Sequence, residues 1–196
     1  MNENSLKKGC YDYLKEALEK ISYDKYNKKY MTHSKIEAYN FDNLKQVYTK
    51  KIHHSENGIC SVDAIWMIGD KPVFIEFKNG NNFTATELKN KIRDSLLIFC
   101  DLTGSTISET RTNSECVVVY NKSKKPVKEN ESIQCLIDNR VVESDSRDYI
   151  KKILLKKGKL EFIRWGLANY AGIYFEVVHT YDQEEFEVYL KEMDNC

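Results

Sequence analysis

The chain has little of what bends, staples or anchors a polypeptide. Its 196 residues include only 2 Pro and 8 Gly, which excludes collagen-like and low-complexity classes. Fully apolar stretches such as Val117–Tyr120 run to a handful of residues, far below the ~18 needed to span a bilayer. No pair among the cysteines at 10, 60, 100, 116, 135 and 196 has the C-x-x-C spacing of a zinc knuckle or redox dithiol. A Gly-rich phosphate loop is lacking as well. Charge of one sign is not in excess: 30 basic residues balance 30 acidic ones. That argues against a globally basic protein that coats nucleic acid and leaves room for a local basic patch. Residues 1–8 lack the apolar stretch of a secretion signal. Cys60, Cys100 and Cys116 lie in apolar segments, where they read as small core hydrophobes. The expectation is a reduced, cytoplasmic protein without a membrane span.

What is present suits a folded domain. The chain is 41% hydrophobic and 12% aromatic, and its length fits a single domain over 1–196 that buries roughly 70% of its unfolded surface. Leu6, Cys10, Leu14, Leu18 and Ile21 recur at helical spacing, predicting an N-terminal helix from about Asn4 to Asn27. Lys35–Lys51 is ambiguous: Ser34 and Glu37 offer a capping box, Ile36, Ala38 and Tyr39 suit a strand, and 42–48 is helical in pattern. Strands are predicted over 59–68, 71–78, 115–120 and 172–181. Thr84 and Glu87 form a capping box for a helix whose inner face carries Leu88, Ile92, Ser95, Leu96 and Phe99. Helices are also predicted over 146–157, with Gly158 as its C-terminal cap, and from a capping box at 182–185 through Leu190. The class is α/β: a central mixed sheet flanked by helices.

Chemistry concentrates in Asp63, Glu76 and Lys78. If Gly69-Asp70 is a two-residue hairpin loop, facing residues have numbers that sum to 139. Asp63 then faces Glu76 at a non-hydrogen-bonded pair, with Cβ atoms ~4.5–5.5 Å apart. Lys78 projects from the same face. A four-residue loop would pair Asp63 with Lys78 instead, and a three-residue loop would break the arrangement. Val62, Ala64, Trp66, Ile75 and Phe77 are expected on one face; Ile65, Met67 and Phe74 share the other with the carboxylates. Facing like charges among apolar neighbours repel and resist ionisation. A divalent cation would relieve that, and hard oxygen donors suit Mg2+ or Mn2+.

An Asp on one strand, then Glu-x-Lys on the next after a short hairpin, then a helix, resembles the PD-(D/E)xK nuclease superfamily over roughly 35–120. The resemblance implies a restriction-endonuclease-like core and metal-dependent phosphodiester hydrolysis on nucleic acid, DNA above all. It implies that Asp63, Glu76 and the Phe77 backbone carbonyl hold Mg2+ or Mn2+, while Lys78 orients the attacking water. Val62 stands where the motif has Pro. A further acidic ligand from an early element would be Glu37 or Glu16, and the helix after the motif offers Lys89, Lys91 or Arg93. Homodimers are common in that superfamily. The alternative is a catalytically inactive nuclease-fold module that binds nucleic acid or a protein partner.

Other groups carry bland readings. His53-His54 read as loop residues and His179 as a core or capping residue. The 13 tyrosines read as core-edge packing or as base-stacking rings. Lys25, Lys28 and Lys29 form one basic group; Lys151, Lys152, Lys156, Lys157, Lys159 and Arg164 form another. The segment beyond Lys122 reads as an α/β extension, and its acidic end (Glu184, Glu185, Glu187, Glu192, Asp194) as a solvent face.

Overall fold

The computed structural model describes residues 10–80, 82–124, 134–137, 140–142 and 161–194. In chain order these form β1 (Lys15–Ala17), α1 (Leu18–Ile21), β2 (Tyr23–Asp24), β3 (Lys29–Tyr30), β4 (Glu37–Asn40), α2 (Phe41–Lys51), β5 (Ala64–Ile68) and β6 (Lys71–Lys78). They continue with α3 (Ala85–Thr103), α4 (Ile107–Thr110), β7 (Glu115–Tyr120), β8 (Gln134–Ile137), β9 (Arg140–Val142), β10 (Glu161–Ile163), β11 (Val177–Asp182) and α5 (Gln183–Asp194).

A six-stranded mixed sheet in the order β1-β4-β5-β6-β7-β11 organises them. The first four strands run alternately antiparallel, and β6, β7 and β11 are mutually parallel. Helix α3 makes the crossover that a parallel β6–β7 pair requires. All six residues of β7 are buried, as expected for a central strand covered on both faces. On one face, Ile65, Phe74, Cys116, Val118 and Val178 pack with Phe41 and Leu44 of α2 and Leu88, Ile92, Leu96 and Phe99 of α3. On the other, Ala64, Trp66, Val73, Ile75, Val117 and Val119 pack with Leu18 of α1 and Phe186 and Leu190 of α5. The chain is therefore α/β, with helices on both sides of a mixed sheet.

Several expectations change. Among the described residues, the N-terminal helix is replaced by β1, a single helical turn and β2. Lys15–Ala17 pairs with Glu37–Tyr39, and that edge pairing overrides helical spacing. Ser34 caps no helix: its hydroxyl accepts from Ile36 N–H in a local turn, and β4 precedes α2. The strand expected from Ile59 begins only at Ala64, and Val62 packs on the α3 side of the sheet with Ile65 rather than with Ala64. The strand expected from Gly172 begins at Val177, and α5 extends past Leu190 to Asp194. The predicted 146–157 helix, Gly158 and the basic group from Lys151 to Lys159 lie outside the described residues.

Candidate functional site

The site begins with the hairpin. Gly69 takes the positive φ (58°) that a two-residue loop needs. The pairs are Ile68–Lys71, Met67–Pro72, Trp66–Val73, Ile65–Phe74 and Ala64–Ile75. One step further the regular pairing ends: Asp63 N–H bonds to the Ile75 carbonyl at 3.1 Å, so Asp63 and Ala64 both stand against Ile75. Here the ladder changes. In a continued ladder the Phe77 N–H would bond to residue 62; instead it donates to Asp63 Oδ2 at 2.6 Å. Val62 N–H is taken by Ser95 Oγ of α3 at 2.8 Å, and Cys60 N–H by Asp94 Oδ2 at 2.9 Å. Ser61 Oγ donates to Asp42 of α2 at 2.5 Å. Both helices thus hold the segment ahead of β5, and the Asp63 carboxylate substitutes for a ladder acceptor. By the strand's alternation the Phe77 carbonyl points to the same side as its N–H, past the start of β5.

Glu76 is fully buried on the α3 side of the sheet. Its Oε1 accepts from Lys78 Nζ at 2.5 Å and from Lys91 Nζ at 2.7 Å. Lys91 also approaches Asp63 Oδ1 at 3.6 Å, so one ammonium bridges the two carboxylates. Glu76 Oε2 is buried without a hydrogen-bond partner, which is costly for a carboxylate oxygen. Burial, and then the charge of Glu76, push Asp63 up to about 7; Lys91, the Phe77 N–H and Lys78 pull it back only in part. Burial would depress the Lys91 ammonium, but the charges of Asp63 and Glu76 prevail and raise it.

Asp63, Glu76 and Lys78 come together around Lys91 and the Phe77 N–H, without the facing ladder pair that the spacing predicts. Of the three basic candidates on α3, Lys91 joins them: it shares the inner stripe with Leu88 and Ser95. Lys89 lies against the Trp165–Gly166 turn, where a Cβ on Gly166 would come 3.0 Å from its Nζ. Arg93 bonds Asn90 and its own helix backbone. The two acidic candidates do not join. Tyr39 pairs with Ile65 and Asn40 with Ala64, so Glu37 falls level with Met67. That is four residues along the strand from Asp63, about 13 Å. Glu16 lies opposite Ala38, whose side chain packs on the α1 and α5 face, and it bonds Lys20 and Asn40 there. His179 is on that same face beside Glu115, and His53 and His54 are exposed after α2.

Three contributors escaped the sequence reading. Asp42 helps to raise Lys91 and accepts from Ser61 ahead of β5. Its signal was its place at the start of α2. Ser95 and Asp94 orient the Asp63 segment; a serine within an otherwise apolar stripe was the available clue. Past Lys78 the site is rimmed by rings. Lys78 Nζ stands 5.2 Å from the Phe83 ring centre, and Phe83 meets Trp165 edge-on at 5.4 Å. Trp165 carries a left-handed backbone (φ 56°), unusual for a bulky residue and held here within the ring cluster that also includes Tyr120.

Among the described residues no group of three or more His, Cys, Asp or Glu side chains is placed to hold a metal ion. The donors at hand are two carboxylates and one carbonyl. This set fits a hard cation that keeps several waters, as Mg2+ does, and Glu76 Oε2 supplies a buried oxygen without another partner. No helix among the described residues is long and apolar enough to cross a membrane. Compared with known protein families, characterised proteins and solved structures, the chain matches none.

Proposed function

We propose that this protein is a metal-dependent phosphodiesterase acting on nucleic acid, DNA first, with a restriction-endonuclease-like core formed by β4–β7 and α3. The observation that carries the reading is the buried Glu76 carboxylate, with one unpartnered oxygen, beside Asp63 and Lys78 at the carboxyl end of β6. In open α/β sheets that end is where ligands bind. Mg2+ or Mn2+, when bound, supplies an activated water and neutralises charge on a phosphate. Asp63 and Glu76, with the Phe77 carbonyl, are the residues that would hold it. Lys78 positions the attacking water and adds positive charge where the transition state gathers negative charge. Lys91 bridges the two carboxylates and sets a positive charge beside both. Phe83 and Trp165 present ring surface next to Lys78, suited to a nucleobase.

A second reading, a non-catalytic nucleic-acid-binding module of the same fold, draws on one feature. Lys78 and Lys91 already balance the charges of Asp63 and Glu76, and among the described residues no third acid joins them in a group placed to hold a metal. One experiment separates the two. Cleavage of plasmid and single-stranded DNA is followed with MnCl2 for wild type and for Asp63→Ala, Glu76→Ala and Lys78→Ala. The expected loss is at least 100-fold for each, about 3 kcal/mol of barrier. Equal rates in all four proteins, or no cleavage by wild type together with no Mn2+ heat in calorimetry, remove the catalytic reading.

A further inference from the structure

The hairpin of β2 and β3 is a tight, basic projection that packs no core. Asp24 builds its tip. Oδ1 accepts the backbone N–H groups of Tyr26 and Asn27, both at 2.9 Å. Oδ2 accepts the side-chain amides of Asn27 at 2.6 Å and Asn79 at 2.8 Å. Lys28 completes the turn with a left-handed backbone (φ 50°). The tip is therefore preformed, and Asn79 fixes where it sits. Asn79 directly follows Lys78, is buried, and accepts from buried Asn121 at 2.7 Å. Asn121 in turn follows β7, and its N–H bonds to the Lys78 carbonyl. A chain of amides bolts the hairpin to the carboxyl ends of the two central parallel strands, one residue from the lysine of the site.

The tip offers a polyanion what it needs. Lys25, Lys28 and Lys29 are exposed, Lys124 reaches Asn27 from the other side, and the one carboxylate, Asp24, is occupied by its hydrogen bonds. Tyr26 is 95% exposed. A ring held into water by an ordered turn carries out no packing; beside three ammonium groups it suits a base. Glu187 of α5 lies at the base of the hairpin, where it bonds Thr32, and not at its tip.

We propose that the Asp24–Lys29 hairpin is a nucleic-acid-binding arm: its lysines take phosphates of the strand leaving the site, and Tyr26 stacks on an unpaired base of that strand. The substrate is then single-stranded, or frayed, beside the bond that is cut. This rests on the phosphodiesterase reading for the position of that bond, not for the binding.

Fluorescence anisotropy with a labelled single-stranded oligonucleotide and its duplex, in EDTA, tests the arm in the full chain. Tyr26→Ala is expected to weaken single-strand binding about tenfold and to leave duplex binding unchanged. Replacing Lys25, Lys28 and Lys29 together by Ala is expected to weaken both and to lower the single-strand salt slope by about 2, at ~0.7 per lost phosphate contact. Asp24→Ala, which frees the turn, is expected to act like the triple variant. Isotherms identical to wild type for Tyr26→Ala and the triple variant overturn the proposal. So does wild-type binding of poly-glutamate in preference to DNA, which would make the partner an acidic protein. Arm-dependent binding with no cleavage by wild type in Mn2+ leaves the arm standing and removes the phosphodiesterase; cleavage and binding indifferent to the arm do the reverse.

Discussion

Asp63 is a carboxyl group that folding discourages from ionising. Burial and the adjacent Glu76 push it up to about 7, and Lys91 is the first of the groups that restrain it. Lys91→Met should therefore move Asp63 further up. Because a metal binds the ionised form, Mn2+ affinity followed by calorimetry against pH should have its midpoint displaced to higher pH in Lys91→Met. An unmoved midpoint would show that Lys91 does not sense Asp63. At this scale the sequence was readable where a period of two applied: Glu76 and Lys78 share a face of β6, and the two-residue loop brings the start of β5 alongside them, whereas Asp63 reaches the site through a break in the ladder that the spacing did not foretell. It was unreadable wherever a partner strand set the register. Glu37 and Glu16 failed as ligands because β4 and β1 place them beside Met67 and on the opposite face. Lys89, Lys91 and Arg93 were indistinguishable until α3 was rotated by its contacts.

At the scale of elements, α3 serves both the core and the site. Its apolar stripe seats it on the sheet, and Asp94 and Ser95 hold the residues ahead of β5. Ser95→Ala leaves the buried Val62 N–H without its acceptor, a loss of about 1–3 kcal/mol. The expected phenotype is uneven: a modest fall in Tm and a larger proportional fall in cleavage rate, since the displaced segment carries Asp63. Phe74→Ala is the contrast. Phe74 packs edge-on against Phe99 at 5.3 Å and Phe175 at 5.2 Å. Truncation there should cost about 3–5 kcal/mol and affect rate only through the folded fraction. Melting curves and rates normalised to folded protein distinguish the two, and equal rates for Ser95→Ala and wild type would detach the helix from the chemistry. Elements with strong local signals were legible: β6, β7 and α3 with its Thr84–Glu87 capping box. Short edge elements were not. β1 has three residues and owes its extended form to β4, and β5 starts late because Val62 and Cys60 give their N–H groups to α3.

Across the whole molecule, two carboxylates, the half-buried Asp63 and one on the α5 face of the sheet, give stability opposite dependences on pH. Glu115 is the second. Burial works to raise it, but hydrogen bonds from His179, Lys71 and Tyr189 prevail and hold it at about 2, below its ordinary 4.5. The unfolded chain binds the proton more readily there, so this contribution is present above about pH 4.5 and is lost as pH falls toward 2. Asp63 runs the other way. Its value rises from 3.8 to about 7, so the folded state binds the proton more readily and stability declines as pH climbs from about 4 to 7. At ~1.4 kcal/mol for each pH unit of displacement, each limb is worth on the order of 3 kcal/mol. Thermal melts in EDTA from about pH 3 to about pH 9 should therefore peak near pH 4–5 as far as these two groups govern the curve. Glu115→Gln should flatten the acid limb and Asp63→Asn the neutral one, with Asp63→Asn more stable than wild type at pH 8 and similar to it near pH 4. Saturating Mn2+ should restore wild-type stability at pH 8, by about 2.7 kcal/mol at a hundred times Kd, and do little near pH 4, where Asp63 holds its proton. A wild-type Tm that rises steadily from pH 4 to pH 8 without metal would mean that Asp63 ionises without penalty, and the strained carboxylate pair on which the site depends would be gone.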